Sequence, residues 1–476
     1  MPRKVIGEGA YGCVHNPSLH CNIQPSPNFN YDDHVSKLMK TKNAEEELKE
    51  FVTIHQYDPQ DEYHLGTPIL CKPKQNADEL SDIAKCKRIA HKFMQSPDQY
   101  SLLVLKYGGP DLKIFCKDTI TQFLTTDKEE KTDNFWLEVH HLIKGLNFFK
   151  DNGIVHNDLK PQNILYNLKT NKLSFIDFGL MSSKASITKL SKENKNNLAN
   201  FHWSFPLDCG FMNYNEYSKY KRNADRRLLV REELIDMIID GDTTNTANLD
   251  IQKPEAFEIF FTYINPNGTD PRPTTKYDFM KKFFDGQDKI INTNYDEYIS
   301  RIIDSIDVYG LGFTLKYILN CFKRHNGVTE LFFTRCSELF YKMYDPNPET
   351  RELNINALLD EYESILLETG LLTRTNNSFE HHTLLNRGPG ETISSLSVKL
   401  LSKSKSKSKS KSKSKSKSKS KTKLKSKSKT KSKTLVKPSL IELDRIADLD
   451  PMPTSKIRQI NSKSNSKSNS KTRKRV

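Results

Sequence analysis

Between Asn134 and Lys150 apolar side chains fall at Phe135, Val139, Leu142, Ile143, Leu146 and Phe149. That three-and-four spacing predicts a helix with one buried face, and Asn152-Gly153 supplies its stop. A second amphipathic helix, rich in Glu, is predicted from Asn43 to His55. His34–Lys40 alternates instead, with Val35, Lys37 and Met39 on one face, and reads as a strand. Apolar residues also alternate around Gly7, Gly9 and Gly12, which places those glycines in a hairpin turn. Helix and strand patterning of this kind runs through residues 1–370. From Ser402 to Thr434 the chain is a Ser-Lys repeat broken at Leu424, with almost nothing apolar to bury. Disorder is the expectation for that stretch. A short apolar island (Leu435 to Leu449) precedes a last run of Ser, Asn and Lys.

Charge sharpens this division. The 476 residues carry a formal +15, but Lys399–Val476 holds 27 of the 74 basic and 4 of the 59 acidic residues, a net +23. Residues 1–398 are therefore at −8, so the chain as a whole is not a basic nucleic-acid-binding fold. The eight cysteines form no C-x-x-C pair, and reduced, intracellular cysteines are expected. Cys13, His15, His20 and Cys21 match no standard zinc-finger spacing. No run approaches the ~20 apolar residues that span a bilayer, and no signal peptide opens the chain, so a soluble intracellular protein is expected.

Ile6-Gly7-Glu8-Gly9-Ala10-Tyr11-Gly12-Cys13-Val14 reads G-x-G-x-x-G-x-V. Glycines there let backbone N–H groups approach a phosphate closely. A dinucleotide fold would need a helix directly after the glycines, and His15-Asn16-Pro17 blocks one. Lys37, inward on an apolar face, calls for an anionic partner. Glu50 has the best apolar flanks for that role, with Glu46 and Glu47 as alternatives.

The densest chemistry is His156-Asn157-Asp158-Leu159-Lys160-Pro161-Gln162-Asn163, followed by Asp177-Phe178-Gly179. Phosphoryl transfer to a hydroxyl needs a carboxylate near the nucleophile, here Asp158, and a cation on the moving phosphate, here Lys160. It needs oxygen ligands for Mg²⁺ (or Mn²⁺), here Asn163 and Asp177. Asp240-Gly241-Asp242 suggests calcium but lacks an EF-hand's later ligands.

This ordered set resembles the eukaryotic-type protein kinase family over residues 4–368. The resemblance implies an α+β, bilobal fold, with a small antiparallel N-lobe (about 1–107), a mostly helical C-lobe (about 108–370) and an insertion (about 210–300). A linker (371–401) and a disordered basic tail (402–476) would follow. It implies ATP under Gly7–Val14, Leu105 as gatekeeper, Lys106, Tyr107 and Gly108 offering backbone bonds to adenine, and Asp111 near the ribose. Asp307 would brace the catalytic loop. Lys160 two residues after Asp158 is the serine/threonine pattern, so protein substrates with Ser or Thr acceptors are implied. The wording of the motifs resembles kinases of giant DNA viruses, which implies host cytoplasm or virion. The terminal Arg473-Lys474-Arg475 offers a weak nuclear address.

Two departures stand out. Asn157 replaces the family's Arg, which normally receives an activation-loop phosphate; a switch of that kind is not expected here. No A-P-E is present, and the nearest run is Trp203–Asp208, whose Asp208 is placed to pair with Arg351. The rival to catalysis is a pseudokinase or scaffold that binds nucleotide or partners. Its basic tail would tether it electrostatically to nucleic acid or an acidic surface.

Overall fold

The computed structural model describes residues 3–8, 12–196, 204–225, 227–232, 264 and 275–374. Gly9, Ala10, Tyr11, Trp203, Asp240–Asp242, most of the expected linker and the whole Ser-Lys tail lie outside the described residues.

The N-terminal part is a five-stranded antiparallel sheet: β1 (Lys4–Glu8), β2 (Gly12–Asn16), β3 (His34–Lys40), β4 (Ile69–Cys71) and β5 (Tyr100–Lys106), in the order β1-β2-β3-β5-β4. Register assigns each side chain a face. Val14 lies opposite Lys37, which lies opposite Leu103; Cys13 lies opposite Leu38, which lies opposite Leu102. Successive strand residues point to opposite faces. The Lys37 face therefore carries Val35, Met39, Leu103 and Leu105, as the alternation predicts. It meets α1 (Thr41–Tyr57) through Ala44 and Leu48. This helix starts two residues before, and ends two after, the predicted span.

The opposite face carries Cys13, Leu38, Leu102 and Val104. It is covered by a layer that includes α2 (Ala77–Ile83) and α3 (Ala90–Gln95), with Ile83, Cys86, Ile89 and Phe93 buried against the strands. Two disulfides stitch this side together. Cys13 is bonded to Cys86 and Cys21 to Cys71, with Cα separations of 6.1 and 5.7 Å. This corrects the expectation of reduced cysteines for half of them: the fold brings together residues 73 and 50 positions apart that share no local spacing. Cys116, Cys209, Cys321 and Cys336 remain thiols, all buried. His20, far from forming a zinc set, contacts Glu79 at 2.6 Å.

The rest is mostly helical. α4 (Lys128–Asp151) extends six residues N-terminal of its predicted start, and Gly153 follows it with φ +63°. A short hairpin, β7 (Ile164–Asn167) and β8 (Lys172–Phe175), and a two-residue pair, β6 (Ile154–Val155) with β9 (Ser182–Ser183), frame the loop after it. Further on come α5 (Lys184–Lys192), α6 (Tyr214–Arg222), α7 (Lys276–Ile290), α8 (Tyr295–Arg324), α9 (Glu330–Met343) and α10 (Ile355–Glu368).

The 30-residue α8 is the axis of this region, buried along most of its length. Gly310 lets it approach the loop after β6: a Cβ there would sit 2.6 Å from the Leu159 carbonyl oxygen. Part of the stretch expected as an insertion packs into the core. Tyr217 and Tyr220 of α6 and Phe279, Met280, Phe283 and Phe284 of α7 belong to the same core as α8. Among the described residues no helix is long and apolar enough to cross a membrane.

Candidate active site

The loop between β6 and β7 is held by its backbone. Asp307 of α8 accepts hydrogen bonds from the N–H groups of His156 (2.7 Å) and Asn157 (3.0 Å). Burial pushes the Asp307 carboxyl up to about 7, against the two N–H groups that favour its charged form. His156 lies beneath the loop. Its Nδ1 accepts from Asp158 N, so Nε2 carries the proton and donates to Ile176 O at 3.1 Å. Burial lowers its pKa to about 4, so the ring is neutral.

Asn157 takes φ +64°, a conformation that Asn tolerates better than most residues. Its amide donates to Leu180 O (2.9 Å) and Val155 O (3.3 Å). These bonds tie the loop to the start of the segment after Gly179. The β6–β9 pairing adds Ile154 opposite Ser183 and Val155 opposite Ser182, and Lys184 forms an ion pair with Asp304.

Asp158, Lys160 and Asn163 come together at the loop's end. The Asp158 carboxylate accepts from Asn163 Nδ2 at 2.8 Å and meets Lys160 Nζ at 3.2 Å. Asn163 Nδ2 also donates to Asp158 O at 2.8 Å. Burial raises the Asp158 pKa to about 6; Asp177 adds to the rise, while Lys160 and Asn163 oppose it. Asp177 sits at φ +62°, and its carboxylate charge acts on both Asp158 and Lys37.

Lys37 Nζ contacts Glu47 Oε2 at 2.6 Å, not Glu50. This corrects the expected pair. Glu47 and Glu50 are one turn apart on α1 and share a face, but Glu47 lies nearer the β3 end. Glu50 reaches instead toward the Asp177–Gly179 turn, its Oε2 3.3 Å from where a Gly179 Cβ would sit. Burial depresses the Lys37 pKa, but Glu47, Asp177 and Glu50 outweigh it and the net shift is upward. Lys37 is held as a cation among three carboxylates.

β1 and β2 flank the glycines and continue the sheet beyond β3. Gly7 pairs with Val14 and Glu8 with Cys13, with a register shift between Val5 and Gly7. A Cβ on Gly12 would sit 3.0 Å from Leu38 O and 3.3 Å from Lys37 Cγ, so the glycine permits a close approach. Ile6 is exposed. The Cys13 side chain points to the other face and its sulfur is bonded to Cys86, so only its backbone is left for a nucleotide.

Leu105 is the last β5 residue on the Lys37 face. Beyond Lys106, Tyr107 spends its N–H on Asp33 O (2.9 Å), and its carbonyl accepts from Asn167 Nδ2 (3.2 Å). Its N–H therefore cannot serve a purine edge. Asp111, expected near a ribose, uses Oδ1 to cap the short helix Leu112–Ile114 through Ile114 N at 2.8 Å. Arg351 does reach Asp208, at 3.1 Å, and also bonds Ser305.

Sequence reasoning missed the partners of Tyr107, the Lys184–Asp304 pair and the Asn157–Leu180 tie. The Asn at 157 was the only local signal for the last, and it identified a missing cation without identifying its replacement bond.

Residues 79–203 match the protein kinase domain family. A 78-residue stretch is 38% identical to cyclin-dependent kinase B2-1 of Arabidopsis thaliana, covering 16% of this chain and 24% of that relative, so the alignment spans about a quarter of the relative's length. Both similarities cover part of the chain, and both are to protein kinases.

Proposed function

We propose that this protein transfers the γ-phosphate of ATP to Ser or Thr hydroxyls of protein substrates. The observation that carries the reading is the Asp158–Lys160–Asn163 cluster on a loop braced by Asp307, close enough to Asp177 for its charge to act on both Asp158 and Lys37.

Asp158 orients the acceptor hydroxyl and takes its proton as the oxygen–phosphorus bond forms. A carboxyl poised at about 6 is mostly ionised at neutral pH and basic enough for this work. Lys160 places its ammonium on the transferred phosphoryl group. Lys37, oriented by Glu47, holds the α- and β-phosphates under Gly7–Val14. Leu105, Lys106 and Gly108 border the adenine, and Asp111 borders the ribose.

A divalent cation, when bound, neutralises the phosphate oxygens. The donor set fits a hard ion: Asn163 has its nitrogen committed to Asp158, which leaves its oxygen as the ligand end, and Asp177 supplies a carboxylate. Serine/threonine choice rests on Lys160 two residues after Asp158. The Asn- and Lys-rich composition supports an origin among giant DNA viruses.

The test is transfer of labelled γ-phosphate from Mg-ATP to a generic protein substrate, wild type against Asp158→Asn, followed by phosphoamino-acid analysis. Label on Ser and Thr that vanishes in the variant is the expected result. ATP binding without transfer in the wild type would overturn the enzymatic reading in favour of a scaffold.

A further inference from the structure

Both arms of the glycine hairpin are fastened to the layer behind it. β1 is held at its start by Arg3, whose guanidinium meets Glu79 at 2.8 Å and Asp82 at 3.0 Å. It is held at its end by Glu8, whose Oε1 accepts from Arg88 N at 2.5 Å. β2 is held by His15, whose Nε2 contacts Asp82 O at 3.3 Å, and by the Cys13–Cys86 disulfide. Three of these fastenings are polar and indifferent to oxidation. The fourth is covalent, and it is attached one residue after Gly12.

We propose that Cys13 and Cys86 are a redox modification site that sets how firmly β2, the strand that begins at Gly12, is held, and so how tightly the protein binds nucleotide. The inference rests on the nucleotide-binding reading above. In the oxidised state β2 is clamped, one residue after Gly12, to the segment between α2 and α3. In the reduced state only the polar ties remain, and β2 spends part of its time away from that position.

The chemistry is exchange with an external disulfide of the oxidised-glutathione class. The two thiols release two protons and two electrons as their S–S bond forms, and the external disulfide takes up both to become two thiols. Cys13 and Cys86 are fully buried, so exchange proceeds through local opening of the layer and both states are long-lived once set. Cys21–Cys71 serves as an internal control: it ties the β2–β3 connection to β4 and is not attached to either arm of the hairpin beside the glycines.

The test uses the full chain, treated with oxidised glutathione or with dithiothreitol. Peptide mapping without reductant reads the Cys13–Cys86 link, and a non-hydrolysable ATP analogue reads affinity. Reduction should raise its Kd about threefold or more, the change expected when the binding-competent position of β2 falls to a third of the population. Cys86→Ser should show the weaker Kd under both treatments, and Cys71→Ser should respond like wild type. If Cys86→Ser does not fold, the oxidised and reduced states of Cys71→Ser decide, since only the Cys13–Cys86 link differs between them. Equal Kd in both states overturns the proposal, as do alkylatable Cys13 and Cys86 after oxidation. Zinc retained by the reduced protein and lost in the Cys86 variant overturns it too, in favour of a Cys13–His15–Cys86 metal site. No analogue binding in either state, with the link present, overturns the nucleotide reading and this inference with it.

Discussion

Arg351 and Asp208, 143 residues apart, form an ion pair in which each side chain is 1% exposed. The guanidinium also donates to Ser305 Oγ and Asp345 O, so it links the segment before α6 to α8 and to the turn after α9.

Removing one member of such a pair strands a buried charge, which costs about 3–5 kcal/mol. Arg351→Met should lower the unfolding free energy by that amount. The double variant Arg351→Met/Asp208→Leu should recover most of it, since it removes both charges together. Urea unfolding of the three proteins measures this. A single variant as stable as wild type would show that the pair does not hold the fold.

Lys37 has two carboxylates on one face of α1, but only Glu47 is in contact. Glu47→Gln loses a charge-assisted bond worth about 1.5–3 kcal/mol, so kcat/KM should fall about tenfold or more. Glu50→Gln should cost less, because the 2.6 Å contact is Glu47's and the Glu50 charge acts on Lys37 less strongly. Steady-state kinetics of the two variants side by side gives the ranking; the reverse order would restore Glu50 as the partner.

The pattern of what was legible follows the range of the interactions. Val35, Lys37 and Met39 share a face because strand alternation is local, and Asp158, Lys160 and Asn163 meet because they lie within one turn and its flanks. Asp208 and Arg351 were paired across the chain only because both sit in family-like runs. The choice between Glu47 and Glu50 was not legible: helical spacing puts both on one face, and only the placement of α1 against β3 decides which reaches the lysine. The disulfides were hidden for a related reason. Cys13 meets Cys86 because α2 and α3 cover the back of the sheet, and nothing near either cysteine announces that layer. Tyr107 lost its N–H to Asp33, a loop carbonyl with no sequence signature at all.

Activity should track ionisation of Asp158. The group works deprotonated and burial raises its pKa to about 6. The kcat/KM profile should therefore rise with pH through an apparent midpoint near 6 and flatten above it. Lys160 opposes the rise, so Lys160→Met should shift the midpoint upward as well as lower the plateau. A midpoint near 4 in wild type would mean that burial does not raise the Asp158 pKa.

The segment after Gly179 is already anchored without phosphate. Asn157 donates to Leu180 O, β9 pairs with β6, and Lys184 pairs with Asp304. Removing its hydroxyls should therefore leave transfer activity within about twofold of wild type, the spread expected of substitutions away from packed or bonded features. Two of the hydroxyls have partners: Ser182 Oγ donates to Leu180 O over a long 3.3 Å, and Ser183 caps α5, its Oγ accepting from Ser186 N at 3.1 Å. Replacing Ser183 by Asn keeps a cap while removing the phosphate acceptor, and Ser182, Ser186 and Thr188 can go to Ala. Activity of this quadruple variant after phosphatase treatment is the measurement. Its loss, with the fold intact by circular dichroism, would show that a phosphate on this segment is required after all and that Asn157 is not a substitute for one.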